Sequence, residues 1–176
     1  VIKTKIINDA VHGFITIPNQ FLLHLMDHPY FQRLRRIKQL GLTDWVYPNA
    51  VHTRFSHALG AMFLYHQSII HLRQKGVKIT EEEKTAGLSA ILMHDIGHGP
   101  FSHALENSIV SRLNHEEISK IFMDRINQEL DGELEMAISI FEGSYKKPFL
   151  NQLINGQLDV DRMDYLRRDS FFTGVS

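Results

Sequence analysis

Apolar positions recur at strand spacing only near the start of the chain and at helical spacing from about residue 20 onward. KTKIINDAVHGFITIP holds two β-rich segments, Lys5 to Ile7 and Phe14 to Ile17, around a polar turn with Asn8, Asp9 and Gly13. That pattern predicts a small hairpin, an accessory element. From Gln20 the stretch FLLHLMDH is helical, and after Pro29 a second helix is expected through YFQRLRRIKQLG. In it Phe31, Leu34, Ile37 and Leu40 fall at intervals of three, with Gly41 to close it. FSHALGAMFLYHQSIIHLRQ predicts a long amphipathic helix beginning about Arg54, with His57 in its first turn. Thr80 with Glu83 three residues on is a capping box, opening a buried helix through AGLSAILM that ends at His94. Further helices are expected over SHALENSIVSRL, over NHEEISKIFMDRINQEL with Asn114 as N-cap, and over GELEMAISIF, PFLNQLI and LDVDRMDYLRRDSFF. The chain therefore predicts an all-α domain with one small hairpin, residues 1–19 forming the hairpin and 20–176 the helical core. FFTGVS follows a helix without a capping element, so we expect the N-terminal part of a longer chain.

Composition narrows the function classes. With 176 residues, 43% hydrophobic and 22% charged, the chain can bury a core of about one domain. A net charge of -1 gives no global field toward nucleic acid or an anionic membrane. Any bound anion must be held by local arginines, for which Arg33, Arg35 and Arg36 form either a solvated face or an anion site. Cysteine is absent, which removes disulfides, thiolate nucleophiles and cysteine zinc sites together. No run reaches the ~18 apolar residues of a membrane span, so a soluble, cytoplasmic protein is expected.

Eleven histidines are many for this length, and three of them lie with an aspartate in HDIGHGPFSH, His94 to His103. His94 and Asp95 offer an imidazole and a carboxylate to one point, the mixed donor set a divalent metal takes. Gly97, Gly99 and Pro100 stop the helix and let the chain turn, so that His98 and His103 can fold back toward the same pocket. The plain alternative is a capping turn whose imidazoles bond stray carbonyls. His57, the His94-Asp95 pair and one aspartate among Asp159, Asp161, Asp164 and Asp169 would make a site with positions left for water and substrate, catalytic in style. Such ligands suit Mn²⁺, Mg²⁺, Fe²⁺, Co²⁺, Ni²⁺ or Zn²⁺ without choosing among them. His103 and Glu106, three apart on a helix, would face the same way and form a general acid. His115 with Glu116 is the competing acid. His12, His24, His28, His52, His66 and His71 belong to no such constellation and are read as structural.

The ordered series HTRFSH, HDIGHGPFSH and DVDRMDYLRRD, preceded by NDAVHGFI and FQRLRRIKQLG, resembles the HD-domain phosphohydrolases, and among them the deoxynucleoside triphosphate triphosphohydrolases of dGTPase and SAM-and-HD-domain type. The resemblance spans almost the whole chain. It implies an HD-domain helical bundle and a metal held by His57, His94, Asp95 and Asp161. It implies hydrolysis of a dNTP to deoxynucleoside and inorganic triphosphate. Arg54 matches a phosphate contact, and Arg162, Tyr165 and Asp169 match positions that serve the triphosphate or sugar. Gln39 matches the residue that reads the 3′-hydroxyl, and His98, like His103 and His115, is a candidate to bind phosphate or donate a proton. For Arg54 the plain alternative is a surface ion pair, and for the late aspartates it is pairing with Arg162, Arg167 and Arg168 on their own helix. A homo-oligomer and a nucleotide effector are expected partners by the same resemblance; membrane and nucleic acid are not. The alternatives are HD hydrolysis of a nucleoside monophosphate, a cyclic dinucleotide or a guanosine polyphosphate, and an idle nucleotide-binding HD module.

Overall fold

A computed structural model describes residues 5–101 and 114–175. Strands β1 (Ile6–Asp9) and β2 (Gly13–Thr16) pair antiparallel, Ile6 opposite Thr16 and Asp9 opposite Gly13. The turn is braced by the Asp9 carboxylate, which accepts from the amides of Val11 and His12. Helices α1 (Gln20–Asp27), α2 (Pro29–Gln32), α3 (Arg54–Gln74) and α4 (Glu81–Met93) follow. Beyond residue 113 come α5 (His115–Glu129), α6 (Glu135–Phe141), α7 (Pro148–Gln152) and α8 (Val160–Thr173). The helix expected over SHALENSIVSRL lies outside the described residues. The fold is thus a mainly helical bundle with a two-stranded N-terminal hairpin. Among the described residues no helix is long and apolar enough to cross a membrane.

α3 is the axis of the bundle, packed between α4 and α8, with α6 against the far side of α4. This position corrects its expected amphipathic character. From Arg54 through Met62 nearly every side chain is buried, and only the later turns keep an exposed face. Glycine makes two of the close approaches. A Cβ at Gly87 of α4 would stand 2.2 Å from the Tyr65 hydroxyl oxygen, and one at Gly60 of α3 would stand 1.9 Å from Asp164 Oδ1 of α8. The capping boxes at Thr53, Thr80 and Asn114 satisfy the amides that start α3, α4 and α5.

One expected helix is shorter than its pattern suggests. After α2 the chain tightens into a 3₁₀ turn at Arg33–Arg36 and becomes extended at Ile37. Three residues per turn is the 3₁₀ period, so Phe31, Leu34 and Ile37 can all reach the core without an α-helix continuing to Leu40. Beyond it, Lys38 bridges Thr53, the Gln39 amide donates to the His52 carbonyl and the Arg54 amide donates to the Ile37 carbonyl. This short pairing anchors the N-terminus of α3.

The Glu83 carboxylate joins the start of α4 to the segment before α7. It is 3% exposed and accepts from the Thr80 amide, the Tyr145 hydroxyl at 2.8 Å and Lys147 Nζ at 2.6 Å. Burial alone would push this carboxyl up, but the bonds from Lys147, Thr80 and Tyr145 outweigh it and hold it down at about 2. Its stabilisation is therefore present above the ordinary value of 4.5 and is lost as pH falls from there toward 2. In urea melts at pH 6 and pH 3, Glu83→Gln is expected to lose about 2 kcal/mol less on acidification than the parent.

Candidate metal centre

The buried N-terminal half of α3, the C-terminal end of α4 and the first turn of α8 meet at one point. His57 Nε2, His94 Nε2 and an Asp161 oxygen lie within 4.8 Å of one another. Asp161 Oδ1 is 2.8 Å from His57 Nε2 and 3.3 Å from His94 Nε2. Both imidazoles are fixed from behind. His57 Nδ1 donates to Asp164 Oδ2 at 2.8 Å, and His94 Nδ1 donates to the Ile91 carbonyl at 2.6 Å. With the Nδ1 hydrogens so committed, both Nε2 atoms face Asp161 and are the ones left to bind a cation once deprotonated. Asp95 stands at the edge of the triad, with Oδ1 3.5 Å from His94 Nε2 and Oδ2 3.8 Å from His57 Nε2.

These residues fit a divalent cation. His57 Nε2 is buried and, although close to Asp161, makes no well-directed hydrogen bond, as expected of two donors aimed at a common point. Electrostatics agrees. Burial would push the His57 imidazole down, but Asp161, Asp164 and Asp95 together push it up to about 10. Burial likewise opposes the rise at His94, where the charges of Asp95 and Asp161 prevail. The carboxyls of Asp95 and Asp161 are held below the usual range despite burial, Asp95 by His94, His98 and Arg54, and Asp161 by His57 and His94. Excess negative charge is what a metal would neutralise.

The other expected residues distribute unevenly around this point. Arg54 is buried, not at the surface, and its guanidinium lies 2.5 Å from Asp95 Oδ2. His98 is buried 3.4 Å from Asp95 and stacked on His115, ring centroids 4.1 Å apart. Burial pushes its imidazole down to about 4 in spite of Asp95, so it is neutral near pH 7. His115 and Glu116, at the start of α5, line a cleft of about 440 Å³ together with His94, Asp95 and Asp161. Gly97 lets the turn approach α5 closely, since a Cβ there would meet the His115 carbonyl oxygen at 2.3 Å. His103 and Glu106 lie outside the described residues.

Along α8, Asp161, Tyr165 and Asp169 repeat every four residues and form one stripe. Asp169 accepts from His52 Nε2 at 2.7 Å, and the His52 ring stacks on Phe172. Gln39, tied by its backbone to His52, buries an Oε1 that has no partner among the described residues. Arg162 is exposed beside Asp161. Arg33 does not join an anion site: its guanidinium donates to the carbonyls of Ile96 at 2.5 Å and His98 at 2.8 Å, clamping the turn after His94. Arg35 instead lies over the Phe55 ring.

Sequence reasoning missed the layer behind His57. Asp164, which it explained by pairing with arginines on the same helix, does pair with Arg168, but its carboxylate also holds His57 and His12. The usable signal was its place three residues after Asp161, on one face of α8 with Arg168.

A mainly helical bundle that converges two histidines and an aspartate, with His94 and Asp161 lining a cleft, defines a metal-dependent hydrolase class. The HD-domain family model matches residues 54–169, and the chain belongs to that family, as an HD-domain phosphohydrolase related to the deoxynucleoside triphosphate triphosphohydrolases. It is 36% identical to the deoxynucleoside triphosphate triphosphohydrolase SAMHD1 homologue of Dictyostelium discoideum, covering 99% of this chain and 37% of that protein. It is 37% identical to protein YwfO of Bacillus subtilis, covering 99% of this chain and 41% of that one. The crystal structure of a phosphohydrolase from Bacteroides thetaiotaomicron is 57% identical, with a TM-score of 0.96, over 98% of this chain and 43% of that chain. The chain thus spans about two fifths of the length of such relatives.

Proposed function

We propose that this chain carries the metal centre of a dNTP triphosphohydrolase, releasing deoxynucleoside and inorganic triphosphate. The observation that carries the reading is the His57, His94 and Asp161 cluster, two of whose members, His94 and Asp161, line a cleft; Asp95, which lines the same cleft, is proposed as the fourth ligand. The relative named as a dNTP triphosphohydrolase supports the substrate class. When bound, a divalent cation would offset phosphate charge and acidify a water molecule.

The side chains divide the remaining work. Arg54 holds Asp95 in place and supplies positive charge behind the phosphates, while Arg162, exposed and next to Asp161 in sequence, is the proposed second guanidinium for them. His98, being neutral, serves as a hydrogen-bonding group rather than a cation. Water attacks the α-phosphorus, the bond to the 5′-oxygen breaks, and His115 or the His103-Glu106 dyad delivers the proton to that departing oxygen. The buried acceptor of Gln39 suits a donating 3′-hydroxyl. From Asp161 to Asp169 the α8 stripe rises ~12 Å, the scale of an extended nucleoside, with Tyr165 between. A homo-oligomer with a nucleotide effector belongs to the same reading.

The acidic lining from Glu116, Glu117 and Glu142 also requires that a triphosphate arrive with its charge neutralised. Incubating the full chain with each dNTP and Mn²⁺ is expected to release inorganic triphosphate. Orthophosphate as the product, or turnover of a cyclic dinucleotide to its linear form with none of the dNTPs, would contradict the reading and favour HD hydrolysis of another nucleotide. His115→Ala and Glu106→Ala are each expected to keep the metal, and whichever removes the acid lowers kcat by about 10²–10⁴.

A further inference from the structure

The N-terminal hairpin is wired directly to the back of the metal centre. The Asp164 carboxylate is fully buried and accepts four bonds, two on each oxygen. Oδ2 receives His57 Nδ1 at 2.8 Å and Arg168 Nε at 2.9 Å. Oδ1 receives His12 Nε2 at 2.6 Å and an Arg168 terminal nitrogen at 3.0 Å. The other end of the Arg168 guanidinium grips Asp9, at 2.8 and 3.2 Å. Asp9 in turn shapes the hairpin turn by accepting the amides of Val11 and His12. Two turn residues, Asp9 and His12, are therefore joined through one carboxylate to a metal-ligating imidazole, although His12 and Asp164 are 152 positions apart.

Stability alone is a poor explanation for this arrangement. A buried charge network is often no more stabilising than well-packed apolar residues of the same volume. Its geometry instead addresses orientation. Gly60, one turn after His57 on α3, has no Cβ, and the Asp164 oxygens occupy that space. The carboxylate is thus seated on the backbone of the helix that bears the ligand. His12, its ring 5.3 Å from that of Phe63 on the same helix, bonds the same carboxylate oxygen that stands over Gly60. Partners of ligand imidazoles typically contribute 10- to 100-fold in metal affinity or activity.

We propose that His12 is a positioning residue for the metal centre, and that docking of the hairpin through His12 and Asp9 sets the orientation of Asp164 and so of the His57 lone pair. The proposal rests on the metal-site reading above. It makes the hairpin, expected as an accessory element, part of the apparatus that determines metal affinity.

Equilibrium dialysis of the full chain against Co²⁺ tests it, with no need for turnover. The parent is expected to bind one ion at the His57 site. His12→Phe keeps a ring against Phe63 but removes the donor, and is expected to bind Co²⁺ about 10- to 100-fold more weakly. His12→Gln, which places a side-chain N–H near the lost Nε2, is expected to stay within about threefold of the parent. A parent that takes up no Co²⁺ overturns the metal site and this proposal with it. A parent that binds, beside a folded His12→Phe that binds equally well, overturns the proposal alone. Should His12→Phe fail to fold, His12→Asn, whose amide stops at the Nδ1 position and stays short of Asp164, decides in its place: weakening of about tenfold or more in a folded protein supports the bond's role, and parental affinity contradicts it.

Discussion

Asp161→Ala is expected to abolish metal binding and hydrolysis together while leaving the fold intact. Asp161 supplies the only carboxylate oxygen in the tight triad, 2.8 and 3.3 Å from the two Nε2 atoms. Without it two imidazoles remain, with Asp95 partly neutralised by Arg54. Loss of a group that merely orients a ligand costs about 10- to 100-fold in affinity, so loss of the carboxylate itself should exceed about 100-fold. The fold should tolerate the change. Asp161 is 31% exposed at the first turn of α8, so its removal opens no cavity in the apolar core. Metal titration and a thermal melt of the metal-free variant separate the two effects. The expected change in metal-free stability is within about 1 kcal/mol. Retention of parental metal affinity would break the assignment.

Arg168→Met is expected to have the opposite profile, a large loss of stability. Arg168 is among the largest fully buried side chains of the described residues, and its guanidinium is shared between Asp9 and Asp164. Burial works against its charge, yet the two carboxylates hold its pKa above the ordinary value. Methionine would fill much of the volume and leave two buried carboxylates without their cation. Breaking a buried pair in this way costs about 3–5 kcal/mol, equivalent to a fall of about 10–15 °C in melting temperature for a chain of this size. Arg168→Lys should recover little, because one ammonium cannot reproduce a fork that spans two carboxylates. A melting temperature within about 3 °C of the parent would show that the network contributes little.

The contrast between these variants marks what was legible in the chain. The capping box at Thr80, the N-cap at Asn114 and the buried run ahead of His94 announce helices through local chemistry, and the structure has them. The convergence of His57, His94 and Asp161 was legible only through the order of three motifs, since no spacing relates residues on three different helices. Behind them legibility ends. Asp164 and Arg168 stand i,i+4 on one helix, a pattern that reads as a surface ion pair unless the approach of Gly60 and the hairpin is already known. His12 and His52 fall within NDAVHGFI and HTRFSH but belong to no ligand constellation readable from sequence, yet each bonds a buried or half-buried carboxylate on α8. The segment from Arg33 to Leu40 misleads for a different reason: apolar residues every three positions serve a 3₁₀ turn as well as an α-helix.

The most direct measurement is anomalous diffraction from crystals of the protein grown with Mn²⁺. The account predicts one strong peak in contact with His57 Nε2, His94 Nε2 and an Asp161 oxygen, at about 2.0–2.3 Å from each. A peak bound elsewhere, or none at saturating Mn²⁺, would contradict it.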